Sequence, residues 1–223
     1  MKLFYNLNYQ DLHPKFEDDL PFWMSVLKAV MKLPNSNEMV FKCKGAALEA
    51  ILLYANKYKE DVEQSIRDFC VEIWPMCANA SEDPEYDPIV FNCLKFFKSL
   101  LNWSDMKGFF LSNIDQFFEN LILPNIGLTK TALGQFEDEP EIFIDYYFRN
   151  SEMMTRRAAA IELLRIICRS YGNAFPAFAQ KHLNSFMSLP SKNAADECTI
   201  LGLIIDGSSK GFRDVDGCTQ LFV

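Results

Sequence analysis

Any reaction chemistry in this 223-residue chain would have to start from two histidines, seven cysteines and one run of carboxylates. His13 and His182 stand at no ligand spacing from a cysteine or from each other. A thiol hydrolase needs a cysteine beside a histidine whose ring a third group orients. No local pattern brings Cys43, Cys70, Cys77, Cys93, Cys168, Cys198 or Cys218 to either ring. The cysteines are odd in number and contain no C-x-x-C pair, which argues against both a zinc site and a disulfide framework. Glu137, Asp138, Glu139, Glu141 and Asp145 crowd one segment but lack the D-x-D-x-D-G order of a calcium loop. No glycine-rich phosphate cradle follows a strand. The expectation is a protein without catalytic residues, metal ligands or a cofactor, in short not an enzyme. What remains is recognition: the five carboxylates, and a set of arginines, Arg156, Arg157, Arg165 and Arg169, as candidate partner-binding residues.

Those groups need elements to hold them. Hydrophobic residues make up 49% of the chain and glycines number only nine, enough apolar material for a sizeable core. The net charge of −8 repels phosphate backbones and anionic lipid, so nucleic acid is excluded as the expected partner. That sign suits either solubility alone or a basic partner. The N-terminal run is interrupted by asparagines and does not read as a signal peptide. No window of about 18 apolar residues free of charge is available to span a membrane. Reduced cysteines within apolar stretches fit a nuclear or cytosolic compartment.

Apolar residues recur at three- and four-residue steps, and strand alternation is nearly absent. One stripe (Phe16, Leu20, Trp23, Leu27, Val30) predicts a helix from Pro14 to Leu33, and another (Ala47, Ala50, Ile51, Tyr54, Tyr58) a helix from Lys42 to Lys57. Pro34-Asn35-Ser36-Asn37 turns between them, so the two pair as an antiparallel hairpin. A third stripe, Val62, Ile66, Phe69, Ile73 and Met76, is expected to end near Trp74-Pro75. After a polar loop at Ala80–Pro84, two adjacent columns run from Tyr86 to Leu101: Ile89, Cys93, Phe96, Leu100 and Val90, Leu94, Phe97, Leu101. A face that wide must touch neighbours on two sides, as in a stacked solenoid. Further helices are expected at Asn113–Leu123, Met153–Tyr171 (through Met154, Ala158, Ile161, Leu164 and Cys168), Phe175–Leu189 and Asn193–Ile205. Hairpins then begin roughly 40 to 50 residues apart, the period of HEAT or armadillo units. The fold class expected is all-α, a HEAT-repeat α-solenoid, with an irregular helical bundle as the alternative.

The segment from Gly127 to Asp145, GLTKTALGQFEDEPEIFID, breaks this rhythm and reads as an insertion between helices. Its carboxylates fit a solvated loop with an acidic turn ahead of the next helix dipole. They equally fit a recognition loop, because long loops in compact repeat proteins are disproportionately functional. Arg157, Arg165 and Arg169 are expected on about one face of the following helix, with Glu162 able to pair with Arg165. Such a row is either solvated or available to a partner.

Four blocks in order carry a resemblance: FYNLNYQDLHPKFEDDLPFWM (Phe4 to Met24), YANKYKEDVEQSIRDFCVEIW (Tyr54 to Trp74), ILPN with FEDEPEIFIDYYF (Ile122 to Asn125, Phe136 to Phe148), and TRRAAAIELLRIICRSYG (Thr155 to Gly172). Together they resemble the importin-α re-exporters, the CAS branch of the karyopherin-β exportin family. The resemblance implies one solenoid segment over residues 1–223, a central part of a right-handed superhelix of HEAT hairpins with an acidic insertion at about 127–145. It also implies a nuclear transport receptor that shuttles between nucleus and cytoplasm and binds importin-α together with GTP-bound Ran. By analogy the acidic segment would lie near those partners. A HEAT scaffold unrelated to Ran-dependent transport is the competing expectation from helical spacing alone.

Overall fold

A computed structural model of the chain describes residues 2–34, 38–127, 129–145, 154–170 and 181. Among the described residues there are helices and turns and no strand. The chain divides into two compact units, Met1–Leu100 and Leu101–Val223.

The first unit holds α1 (Lys2–Asn8), α2 (Pro14–Asp18), α3 (Leu20–Lys32), α4 (Glu38–Lys57), α5 (Lys59–Ala78) and α6 (Asp87–Leu101), which ends at its boundary. α3 packs on both α4 and α5, and α4 on α5. The expected Pro14–Leu33 helix is broken at Asp19, which leaves helical geometry and caps α3. Pro21 is the cause: it has no N–H to donate back to the preceding turn and is accommodated where donors are orphaned anyway, in the first turn of a new helix. The buried stripe of α3 is Leu20, Met24, Leu27 and Met31, while Phe16, Trp23 and Val30 are half-buried. The apolar face is thus turned slightly from the expected one, because unbranched methionines fill the inner positions.

α1 was not expected, and its anchors are tertiary. The Phe4 ring packs 4.8 Å from Trp23, 5.7 Å from Phe16 and 5.8 Å from Tyr54. At the far end of α4 the Tyr58 hydroxyl donates to the carbonyl of Asn8 at 2.9 Å. The Lys57 ammonium donates to the carbonyls of Tyr9 and Gln10 and sits over the Tyr9 ring. These bonds satisfy backbone acceptors just past the end of α1, where no further turn supplies donors.

α3 and α5 are also joined by two rungs of charge. Lys28 pairs with Asp68 at 2.9 Å, and one turn on, Lys32 pairs with Glu72 at 3.5 Å. Partly exposed pairs of this kind add little stability singly. Their i, i+4 spacing on both helices instead favours one register of α3 along α5.

α5 passes the expected stop at Trp74-Pro75 and runs to Ala78. Pro75 leaves one carbonyl without its helical donor, that of Val71, whose residue is 73% exposed, so water can take that bond. The apolar row continues inside as Ile73 and Cys77, with Met76 half-buried. Asn79 then closes the helix, donating backbone and side-chain N–H to the Pro75 carbonyl at 3.0 Å each. All eight residues of the two α6 columns are buried, as expected, and Trp74 of α5 packs edge-on against Phe97 at 5.8 Å. Asp83 caps the turn that leads into α6.

The second unit holds α7 (Lys107–Ser112), α8 (Ile114–Phe117), a π turn (Phe118–Ile122), α9 (Leu123–Ile126), α10 (Lys130–Asp138), α11 (Pro140–Ile144) and α12 (Arg156–Ser170). The expected Asn113–Leu123 helix runs on to Ile126, but with one wide turn. Leu123 N–H bonds to Phe118, five residues back. Pro124 has no N–H, so the ladder widens ahead of it and the slack falls on exposed Glu119 and Asn120. Inside, the buried Asn125 amide donates to the Leu121 carbonyl at 2.7 Å. The helices expected at Phe175–Leu189 and Asn193–Ile205 lie outside the described residues, Lys181 apart, as do His182, Cys198 and Cys218.

Two stability predictions follow from the first unit. Phe96 is fully buried in α6, so Phe96→Ala should cost about 3–5 kcal/mol in urea unfolding. The buried Tyr54 hydroxyl has no hydrogen-bond partner among the described residues, so Tyr54→Phe should be neutral or stabilising by about 1 kcal/mol. The hydrogen bond and charge of Lys28 hold the Asp68 carboxyl below its usual range, Gln64 adding to them. A lowered folded-state pKa stabilises above the unfolded value, about 3.9, and this contribution is lost as pH falls through the folded one. The stability gap between wild type and Asp68→Asn should therefore be full near neutral pH and close on acidification below about pH 4.

Candidate partner-binding surface

The acidic segment is a helical hairpin. Thr129 caps α10, its hydroxyl accepting from Ala132 N–H at 3.1 Å. Glu139 leaves helical geometry, and Pro140 opens α11 at a position that needs no N–H donor. The Phe143 N–H returns to the Glu139 carbonyl at 3.0 Å, and the Phe136 and Phe143 rings meet edge-on at 5.2 Å. Ala132 and Phe143 are buried and fasten the hairpin. The insertion expected as a loop is therefore two short helices, whose Gly134, Pro140 and short lengths hide any clean period.

Glu137, Asp138, Glu139, Glu141 and Asp145 are all exposed on this hairpin. Phe136, 50% exposed, and Ile142, 52% exposed, lie on the same hairpin, so it presents apolar as well as acidic side chains to solvent. Glu141 lies in the first turn of α11, where the helix dipole favours it. Glu137 and Asp138 lie in the last turn of α10, where the dipole disfavours an anion and no basic residue compensates. These two do nothing for helix stability.

The arginines do not form one row. Arg156 and Arg157 are buried at the start of α12, whereas Arg165 and Arg169 are exposed. The inner face of α12 is Ala159, Ala160, Leu163, Leu164 and Ile167; of the expected column Leu164 is buried as expected, Ala158 and Ile161 are half-buried, Met154 is exposed and the Cys168 side chain lies outside the described residues. That rotation carries Arg157 inward, where its guanidinium donates to the carbonyl of Ile126 at the C-terminus of α9. A cation at the orphan carbonyls of a helix end is the favoured partner there. Thr155 precedes it as the cap of α12, accepting from Ala158 N–H at 3.2 Å. Arg157 is thus a clamp between α12 and α9, a role that no spacing rule reveals.

The remaining chemistry-bearing groups have structural places. His13 caps α2, its Nδ1 accepting from Lys15 N–H at 3.3 Å. Cys77 and Cys93 are buried, and Cys43 and Cys70 half-buried. Burial pushes the Cys70 thiol up to about 12 and holds Cys93, next to Cys77, well above the ordinary range; a thiol so raised is protonated and unreactive at neutral pH. Among the described residues no group of three His, Cys, Asp or Glu side chains is placed to hold a metal ion, and no helix is long and apolar enough to cross a membrane.

Helices packed pairwise, with no strand among the described residues, define an all-α helical-repeat protein. A family model, Cse1, matches residues 1–221. The chain is 28% identical to Exportin-2 of Homo sapiens and of Oreochromis niloticus over 98% of its length, and 29% identical to that of Danio rerio. It spans 24% of the length of those curated relatives. A solved structure, "The exportin Cse1 in its cargo-free, cytoplasmic state", superposes with a TM-score of 0.83 over 92% of this chain and 24% of that one, at 24% identity. That likeness establishes the fold, a HEAT-repeat helical solenoid. The chain belongs to the Cse1 family.

The clamp makes a contrast that mutation can read. Arg157→Leu should lower stability by about 2–3 kcal/mol, because it removes a charged hydrogen bond and leaves the Ile126 carbonyl unpaired. Exposed Arg165→Leu should change the urea midpoint little.

Proposed function

We propose that the chain is a segment of an export receptor that carries importin-α out of the nucleus together with GTP-bound Ran, shuttling between nucleus and cytoplasm. It acts by binding and not by catalysis. In this reading residues 1–223 are one stretch of solenoid, with 127–145 an insertion that meets partners. What supports it most is the Cse1 family match across 1–221, together with the name of the relatives, Exportin-2. The α10–α11 hairpin adds a physical reason. Its carboxylates at Glu137 and Asp138 oppose the helix dipole, and its exposed Phe136 and Ile142 forgo burial, a combination suited to a basic partner surface with apolar contacts. Arg165 and Arg169 are exposed and available for contact, while Arg156 and Arg157 position α12.

The test is a chimaera in which this chain replaces the matched quarter of human Exportin-2. It should capture importin-α in the presence of GTP-locked Ran and not without it. Reversing Glu137, Asp138, Glu139 and Glu141 to lysine should weaken capture about tenfold while leaving thermal stability unchanged or higher, since lysines suit the end of α10. Equal capture by the reversed chimaera removes the hairpin from the interface. Capture independent of Ran favours the scaffold reading.

A further inference from the structure

The acidic hairpin leaves and rejoins the second unit at two points that one side chain ties together. The chain departs at Gly127, where α9 ends and the backbone turns extended, and it returns at Thr155, which caps α12. Arg157 lies in the first turn of α12, and its guanidinium donates to the carbonyl of Ile126, the last residue of α9. Donor and acceptor stand 31 positions apart in sequence, so this bond closes the whole excursion that carries Glu137 to Asp145. Closing a long loop removes much of the freedom of its ends. Both partners are inside: Ile126 is fully buried and Arg157 is 4% exposed. A charge-assisted hydrogen bond shielded from water is stronger than one at the surface.

The packing of the hairpin itself is mostly internal. α10 and α11 pack on each other, while α12 packs on α9 and on the π turn; neither hairpin helix packs as closely on α9 or α12. α10 is nine residues long, a length of about 13 Å. A tilt of about 20° at its base therefore moves the turn at Glu139 by about 4–5 Å. No hydrogen bond to a partner survives such a displacement.

We propose that Arg157 is a positioning residue for partner recognition. By tying the start of α12 to the end of α9 it sets the direction in which the hairpin presents its carboxylates, Phe136 and Ile142. This rests on the reading of the hairpin as a partner surface. It also accounts for a guanidinium at a buried joint. Apolar side chains of similar volume would secure α12 against α9 as well or better. They would fix no direction, because apolar burial is non-directional, whereas an N–H···O bond is aimed.

The direction can be measured without a partner. In the full chain, nitroxide-bearing unnatural amino acids at exposed Glu141 and Arg169 report the distance between the hairpin and the far end of α12 by electron–electron double resonance. The wild-type distribution should be narrow. Arg157→Leu should roughly double its width, and Arg157→Lys, which keeps a cation for the Ile126 carbonyl, should recover most of the narrowness. Leu163→Ala, which truncates a fully buried side chain of the same helix, should leave it narrow. In the chimaera, Arg157→Leu should weaken partner capture about tenfold while the hairpin carboxylates are intact, and have no further effect once they are reversed to lysine. An unchanged distribution in Arg157→Leu, or one broadened equally by Leu163→Ala, overturns the proposal. So does undiminished capture by the Arg157→Leu chimaera where charge reversal weakens capture. Charge reversal that leaves capture unchanged sinks the partner reading of the hairpin instead, a failure told apart by a distribution that still broadens in Arg157→Leu.

Discussion

Burial of most of a helix's circumference constrains nearly every residue on it, and α6 shows what this demands. Its two columns, Ile89, Cys93, Phe96, Leu100 and Val90, Leu94, Phe97, Leu101, are all buried. So wide an apolar face leaves little of the circumference for polar residues, and those present are spent on ends and edges. α4 meets the same demand with small residues: Ala47, Ala50 and Ala55 are buried beside Leu48, Ile51 and Tyr54, which lets α1, α3 and α5 approach it together. The burial is non-directional and cannot by itself choose among registers. That selection falls to the Lys28–Asp68 and Lys32–Glu72 rungs and to the Lys57 and Tyr58 bonds beyond α1.

In the second unit proline, rather than apolar width, sets the geometry. Pro124 removes a donor and widens the helix ahead of it into a π turn, with Asn125 supplying a side-chain donor to the Leu121 carbonyl. The same run ends at Ile126, whose carbonyl Arg157 takes. A helix weakened by proline is thus held at its C-terminus by a charge from α12. Burying a guanidinium is costly without a partner. Its place at the negative end of a helix is one of the few interior positions where the cation is favoured.

What was readable in the residues followed from how far each element depends on its own period. The α6 columns were legible because two adjacent stripes admit one rotation of the helix. α12 has its alanines and leucines more evenly spread, and an error of one position in its stripe turned Arg157 from a buried clamp into a member of a surface row. α1 is short and weakly periodic, and Phe4, Asn8 and Tyr9 acquire their roles only from α3 and α4. Pro75 was read as a stop because the rule concerns lost bonds, whereas the exposure of Val71 decides whether that loss matters. The acidic residues share one exposed hairpin, but α10 and α11 are too short to leave a helical signature beside Gly134 and Pro140.

Repeat stacking also separates the work of stability from the work of recognition. Each hairpin is secured by neighbours along the stack, so a surface not used in stacking can carry residues that local stability would reject. Glu137 and Asp138 at the wrong end of α10, Phe136 and Ile142 left in water, and Gly45 in the interior of α4 all violate local preference without harming the core. Sequences whose local choices agree with their fold everywhere have no such exceptions to explain, and departures collect where something other than folding is selected. The carboxylates and apolar residues among them share one place, the α10–α11 hairpin, whose other side holds the buried Ala132 and Phe143. A surface secured from behind by buried residues can carry such exceptions at little cost to the fold, so recognition and stability need not compete for the same side chains.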